Sequence, residues 1–178
     1  RVRATRLGVL NWSNGARQLR QRLAFAALHL GEGWPAVDDR TLLATLADWL
    51  GPFLQRATSR SDIIAIDLEM VLTTMLSWDQ QTQLSSLLPP TLLTAAGSTV
   101  DIDYQRDSPT VSVRVQDMFG TLTHPTIAND IPLTIELLSP ADRPIQITKD
   151  LPGFWTGSWA MVRKELAGRY PKHQWPVD

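Results

Sequence analysis

The sequence predicts an α+β fold: an N-terminal helical subdomain, a small antiparallel β-sheet and a closing C-terminal helix. Three observations carry this reading. Up to Leu88, apolar residues recur at the three- and four-residue spacing of one helix face. After Pro89-Pro90 the period drops to two, the period of a strand with one buried face. From Gly153 the helical spacing returns. The proline pair therefore divides the chain into a helical part, 1–88, and a strand-rich part, 89–178, that together make one compact accessory unit.

The first helix is expected over residues 13–30. Ser13 or Asn14 caps it, since a short polar side chain accepts from the free N–H groups of the first turn. Leu19, Leu23, Ala26, Ala27 and Leu30 form its apolar face, with Arg17, Arg20 and Gln21 opposite. Gly31 and Gly33 end it. A second helix runs from about residue 40 to Gly51-Pro52, capped by Asp38 or Asp39, with Leu42, Leu43, Leu46, Trp49 and Leu50 as its stripe. Another turn follows over 52–57.

A third helical block covers 61–88. Asp67 caps a break within it, and Ser77-Trp78-Asp79-Gln80 has capping-box spacing, so one helix ends near 76 and another begins at 78. Beyond the prolines, Ser98–Tyr104 and Thr110–Val115 alternate around a polar turn and read as a hairpin. Ile131–Leu138 and Arg143–Thr148 form a second pair, with Ile145 and Ile147 facing inward. Thr91–Ala95 adds a fifth strand. Four or five strands can make an open sheet or curl toward a barrel. The last helix is expected over 153–168, with Trp155, Trp159, Val162 and Leu166 on one face and Phe154, Trp155 and Leu166 anchoring it. The Pro-interrupted aromatic tail, 169–176, packs extended.

Composition places the chain among ordinary globular proteins. It has 178 residues, 43% of them hydrophobic and 20% charged, which is enough for one core without staples. It has no cysteine, which excludes disulfides and Cys-ligated metals and fits a reducing, cytoplasmic setting. The longest apolar run, Leu23–Leu30, is too short to span a bilayer, so no membrane role is expected. The opening Arg1-Val2-Arg3-Ala4 has neither Met nor a signal-peptide core, which reads as a piece of a larger protein.

The net charge of −1 conceals an asymmetry. Arg1, Arg3, Arg6, Arg17, Arg20 and Arg22 open the chain with no acid among them. Glu32, Asp38, Asp39, Asp48, Asp62, Asp67, Glu69 and Asp79 then outnumber Arg40, Arg56 and Arg60. Arg163, Lys164, Arg169, Lys172 and His173 make the end basic again. Basic ends suit a polyanion. The bland alternative is a solvated surface, with cations at the last helix C-terminus favoured by its dipole. Candidate nucleic-acid contacts are Arg163, Lys164, Arg169 and Lys172, with Arg17 and Arg20 joining them if the two ends meet.

Chemistry-bearing motifs are missing. No glycine precedes a lysine, so there is no phosphate loop, and Gly31-Glu32-Gly33 lacks the third glycine of a dinucleotide loop. His29, His124 and His173 have no metal-ligand spacing, and Gly157-Ser158 lacks the flanks of a nucleophile elbow. Asp101 and Asp103 read as the solvent face of a strand before they read as an acid–base or metal pair. Trp155 and Trp159 could stack on bases, but their four-residue spacing is also that of a core face. The segment itself holds no catalytic residue, cofactor or metal.

The C-terminal run carries a resemblance. Leu138-Ser139-Pro140-Ala141-Asp142-Arg143-Pro144 leads into Leu151-Pro152-Gly153-Phe154-Trp155, then Gly157-Ser158-Trp159, Val162-Arg163-Lys164-Glu165 and Gly168-Arg169-Tyr170-Pro171-Lys172-His173. Asn11-Trp12-Ser13, Gln18–Arg22, Thr45–Leu50, Ile102-Asp103-Tyr104 and Gln116–Gly120 precede it in matching order. Together they resemble the C-terminal domain of bacterial HrpB-type DEAH-box ATP-dependent helicases. The resemblance implies two motor domains elsewhere in the same polypeptide, binding ATP and magnesium, with RNA or another single strand as ligand. Gln174, where the family more often has Pro, is a small departure. The alternative role is a protein-docking module whose partner is unknown.

Overall fold

The computed structural model describes residues 7–177. Arg1, Arg3 and Arg6 lie outside the described residues. The chain divides into two compact units between Leu88 and Pro89.

In the first unit, helix α1 covers Asn14–His29, and Ser13 caps it by accepting from the Ala16 N–H at 3.1 Å. It buries Ala16, Leu19, Leu23, Phe25 and Ala26. Ala27 points to solvent instead of the core, because the buried face centres on Leu19 and Leu23. Arg22 lies on that apolar face, 9% exposed, and its guanidinium donates to the carbonyls of Leu88 (2.7 Å) and Leu84 (3.4 Å).

The single helix expected over 40–50 is two short ones, α2 (Asp39–Ala44) and α3 (Leu46–Trp49), and the further turn expected over 52–57 is α4 (Gly51–Leu54). At the first break a side-chain donor occupies the carbonyl that a continuous helix would offer to Leu46: the Trp49 indole N–H donates to Leu42 O at 2.8 Å. The Thr45 hydroxyl shares Thr41 O with the Thr45 N–H, at 2.8 and 3.0 Å. Next come α5 (Arg60–Ile64), α6 (Leu68–Thr74) and α7 (Trp78–Leu87). Ser59, not Ser61, opens α5, in a capping box with Asp62. Asp67 caps α6, and the Ser77–Gln80 box opens α7, as the spacing predicts.

Acid should loosen this unit through its caps. Bonds from the Thr41 hydroxyl and amide hold the Asp38 carboxyl below its ordinary value of 3.8. The Thr58 N–H, with Ser59, does the same for Asp62. Because folding lowers both, their stabilisation is complete above 3.8 and is lost as pH falls through the lower folded values. Far-UV circular dichroism should show helix fraying below about pH 4, and an Asp38→Asn/Asp62→Asn variant should fray less steeply. An identical acid profile in the variant would remove these caps from the account.

The second unit opens with a hairpin, β1 (Thr91–Leu93) and β2 (Thr99–Asp101). Strand β3 (Thr110–Arg114) passes into a 3-10 turn, Val115–Met118. A small hairpin, β4 (Thr126–Ile127) and β5 (Ile131–Pro132), precedes β6 (Thr134–Leu138) and β7 (Pro144–Thr148). The main sheet has the order β3-β6-β7, open at both edges.

Four expectations change here. The strands form three small sheets in place of one antiparallel sheet, and no closed barrel forms. Strand β3 pairs with β6 in parallel, Thr110 opposite Thr134. Alternation reveals which face is buried, but not which strand lies alongside or which way it runs. The anticipated hairpin between 98–104 and 110–115 survives only as a bridge between Asp103 and Thr110, with N–O distances of 2.8 and 3.1 Å. Ile147, on edge strand β7, is 62% exposed and does not face the core.

Val111, Val113, Ile135 and Leu137 are 1% exposed or less and form the buried face of the sheet, which Val115 continues into the 3-10 turn. Fully burying a side chain of this size contributes about 1.5–3 kcal/mol. The expected closing helix is two, α8 (Leu151–Thr156) and α9 (Trp159–Arg169). Gly157 stands between them, where a Cβ would sit 2.9 Å from Gly153 O, too close for a larger residue.

Candidate nucleic-acid interface

Helix α9 ends at Tyr170, whose N–H bonds Leu166 O at 2.7 Å, and the chain then turns back. Side-chain donors hold the returning tail by its own carbonyls. Trp175 Nε1 donates to Tyr170 O (3.0 Å), Trp159 Nε1 to Pro176 O (3.2 Å) and an Arg163 guanidinium nitrogen to Trp175 O (3.4 Å). The Tyr170 hydroxyl bonds Ser139 Oγ at 3.3 Å. A Pro-interrupted segment cannot satisfy itself as a helix, so indole and guanidinium donors fix it.

Beneath the tail lies a ring cluster. Trp159, 2% exposed, has its ring centre 5.4 Å from Trp155, 5.5 Å from Phe119 and 6.0 Å from Phe154. The Trp155 indole N–H is taken by Thr121 O at 2.9 Å. The base-stacking reading of Trp155 and Trp159 is therefore replaced: Trp159 is core, and half-buried Trp155 is wedged against it. Phe154 and Leu166 are buried as expected, at 2% and 5%. The anchor is Trp159 in place of Trp155.

Four candidate cations, Arg163, Lys164, Arg169 and Lys172, belong to α9 and its tail. Lys164, Arg169 and Lys172 are exposed and Arg163 is half-buried. Among the described residues no carboxylate pairs with any of them. Two other arginines of this unit are neutralised, whereas Arg143 and Lys149, like the four candidates, have no carboxylate partner among the described residues. Arg114 meets Asp142 at 2.8 and 3.1 Å, and Arg106 bridges Asp103 and Glu136.

Arg17 and Arg20 belong to the first unit. Arg17 is exposed. Arg20 is committed locally: Nε donates to Val37 O at 2.7 Å, Nη2 pairs with Asp39 at 2.6 Å, and the guanidinium lies 5.0 Å from the Trp12 ring centre. It holds the loop before α2, so we leave it out of the interface.

The remaining polar candidates have structural partners. Asp103 accepts from the Gln105 N–H at 2.9 Å as well as from Arg106, while Asp101 ends an exposed hairpin. His124 bridges Leu133 O (2.7 Å) and the Leu151 N–H (3.0 Å), tying the residue before β6 to the start of α8. Among the described residues no three His, Asp or Glu are placed to hold a metal, and no helix is long and apolar enough to cross a membrane. Pattern reading missed the Tyr170–Ser139 bond and the contact of Gln116 Nε2 with His173 Nδ1 at 3.1 Å, because these partners are distant in sequence.

Known proteins match this arrangement. Residues 49–178 match the family described as ATP-dependent helicase C-terminal, HrpB_C. The ATP-dependent RNA helicase HrpB of Escherichia coli (strain K12) is 48% identical over 180 residues, which covers 99% of this chain and 22% of that protein. The crystal structure of the E. coli DExH-box NTPase HrpB matches 97% of this chain and 22% of its own at a TM-score of 0.92 and 48% identity. A crystal structure of the Escherichia coli DEAH/RHA helicase HrpB matches 95% of this chain and 22% of its own at 0.79 and 46% identity. This chain thus spans about a fifth of the length of the relatives it matches. With most of its residues inside the family match and its fold shared at high identity, the chain belongs to the ATP-dependent helicase C-terminal family.

Proposed function

We propose that this chain is the C-terminal accessory part of an ATP-dependent RNA helicase and that α9 with its tail holds the backbone of a nucleic acid. One observation carries the reading: Arg163, Lys164, Arg169 and Lys172 share one helix and its latched tail, with no carboxylate partner among the described residues. Cations free of carboxylates on a pinned backbone suit phosphates, which they meet without regard to sequence. The name of the related protein, an ATP-dependent RNA helicase, supports RNA as the strand. In this reading ATP and magnesium bind motor domains of the same polypeptide, since the segment has no phosphate loop, and the parent works in the cytoplasm. A weak grip outside the motor keeps the strand close between steps.

The test is Arg163→Glu/Lys164→Glu/Arg169→Glu/Lys172→Glu in the full-length helicase. Four phosphate contacts on a single strand contribute roughly −3 to the slope of log affinity against log salt. The variant should lose that share of the slope and bind RNA more weakly at low salt. Unchanged affinity in a folded variant would transfer this face to protein docking.

A further inference from the structure

Beside these cations His173 is exposed yet held. Its Nδ1 lies 3.1 Å from Gln116 Nε2, its ring centre 6.0 Å from that of Trp175 and 6.4 Å from that of Tyr170. Its own N–H bonds Tyr170 O at 3.2 Å. Trp175 and Tyr170 are in turn fixed by the bonds that latch the tail. A surface ring normally samples several rotamers and loses that freedom on binding. Here the loss is already taken in the free protein, so a ligand gains more from the same contact. Nε2 has no partner among the described residues, and Lys172 beside it in sequence is exposed.

We propose that His173 is a stacking platform for an unpaired base, which makes single-stranded nucleic acid the ligand of this surface. The proposal rests on the phosphate-contacting reading above. A base can lie on a flat ring only when it is free of a duplex stack, and the deep, narrow major groove of A-form RNA keeps its bases from side chains. Every base has a π-face, so stacking is as indifferent to sequence as the phosphate contacts around it. Nε2, at the edge of the ring, is left to meet a base edge or a phosphate oxygen.

The experiment uses the full-length helicase and fluorescence anisotropy with three probes: a labelled oligouridine strand, an RNA duplex of equal length, and the single strand carrying abasic sites. His173→Ala should weaken binding to the intact strand about five- to hundredfold, the range of one base–ring stack. Duplex and abasic affinities should stay as they were. The salt slope should hold, because no phosphate contact is removed. His173→Phe should keep most of the wild-type affinity, since the ring remains. Wild-type affinity of His173→Ala for the single strand overturns the proposal, and so does an equal loss on the duplex or abasic probe. If His173→Ala binds normally while the charge-reversed protein does not, phosphate contact stands and stacking falls. If neither variant loses affinity, both readings fall.

Discussion

Trp159→Ala should destabilise the second unit by about 3–5 kcal/mol, the range for truncating a buried large aromatic. Trp159 is 2% exposed, and its indole touches Phe119, Phe154, Trp155 and Trp175. Truncation leaves a cavity at the centre of that cluster. It also removes the donor to Pro176 O, and with it one of the bonds that turn the tail back over α9. Trp155→Ala should cost clearly less, because Trp155 is half-buried and its surroundings can relax toward solvent. Amide hydrogen exchange of Val111, Val113 and Ile135 reads this unit separately from the first. Undiminished protection of these amides in Trp159→Ala would place the cluster outside the folding core.

Arg22→Met should lower the stability of the first unit by about 2–4 kcal/mol. The substitution keeps the apolar stem against Leu19, Leu23 and Ala26 but removes bonds to Leu84 O and Leu88 O. The last carbonyls of a helix have no partner within it, and the guanidinium supplies one at the end of α7. Each hydrogen bond to a charged donor is worth about 1.5–3 kcal/mol. For a unit of this size the thermal midpoint should fall by roughly 10 °C or more. Arg22→Lys should not restore it, because an ammonium cannot reproduce the fork that reaches both carbonyls. A midpoint equal to wild type in Arg22→Met would show that water serves those carbonyls as well.

What the sequence revealed was local. Ser13, Asp67 and the Ser77–Gln80 box were readable because a cap and its N–H groups lie within three residues of each other. The β6–β7 hairpin was readable because a short turn joins its strands. The breaks at Thr45 and Gly157 were not. One depends on an indole reaching back to Leu42 O, the other on how little room Gly153 O leaves. Arg22 lay hidden among the basic residues of the N-terminus. Its spacing from Leu19 and Ala26 put it on the buried face, but its carbonyl partners lie beyond Asn14–His29, in α7.

At the candidate interface the cations were legible as composition. Their freedom from carboxylates was not, because pairing joins distant residues: Arg114 with Asp142, Arg106 with Glu136. Arg20 looked equivalent to Arg17 until its loop partners were seen. The held ring of His173 depends on Gln116, far from it along the chain.

The parallel β3–β6 pair also sets the order in which the second unit can assemble. Thr110 meets Thr134 only after the chain between them has been made and brought round. The entropy of closing such a loop must be met before any rung forms, and contacts distant in sequence slow folding. The β1–β2 and β6–β7 hairpins need no such wait, since each closes across a short turn. On a growing chain, β3 therefore leaves the ribosome with its valines uncovered and stays so until residues 134–138 emerge. That interval is the unit's window of vulnerability to mispairing. It closes when β6 docks, giving β3 its neighbour and β7 its template at once.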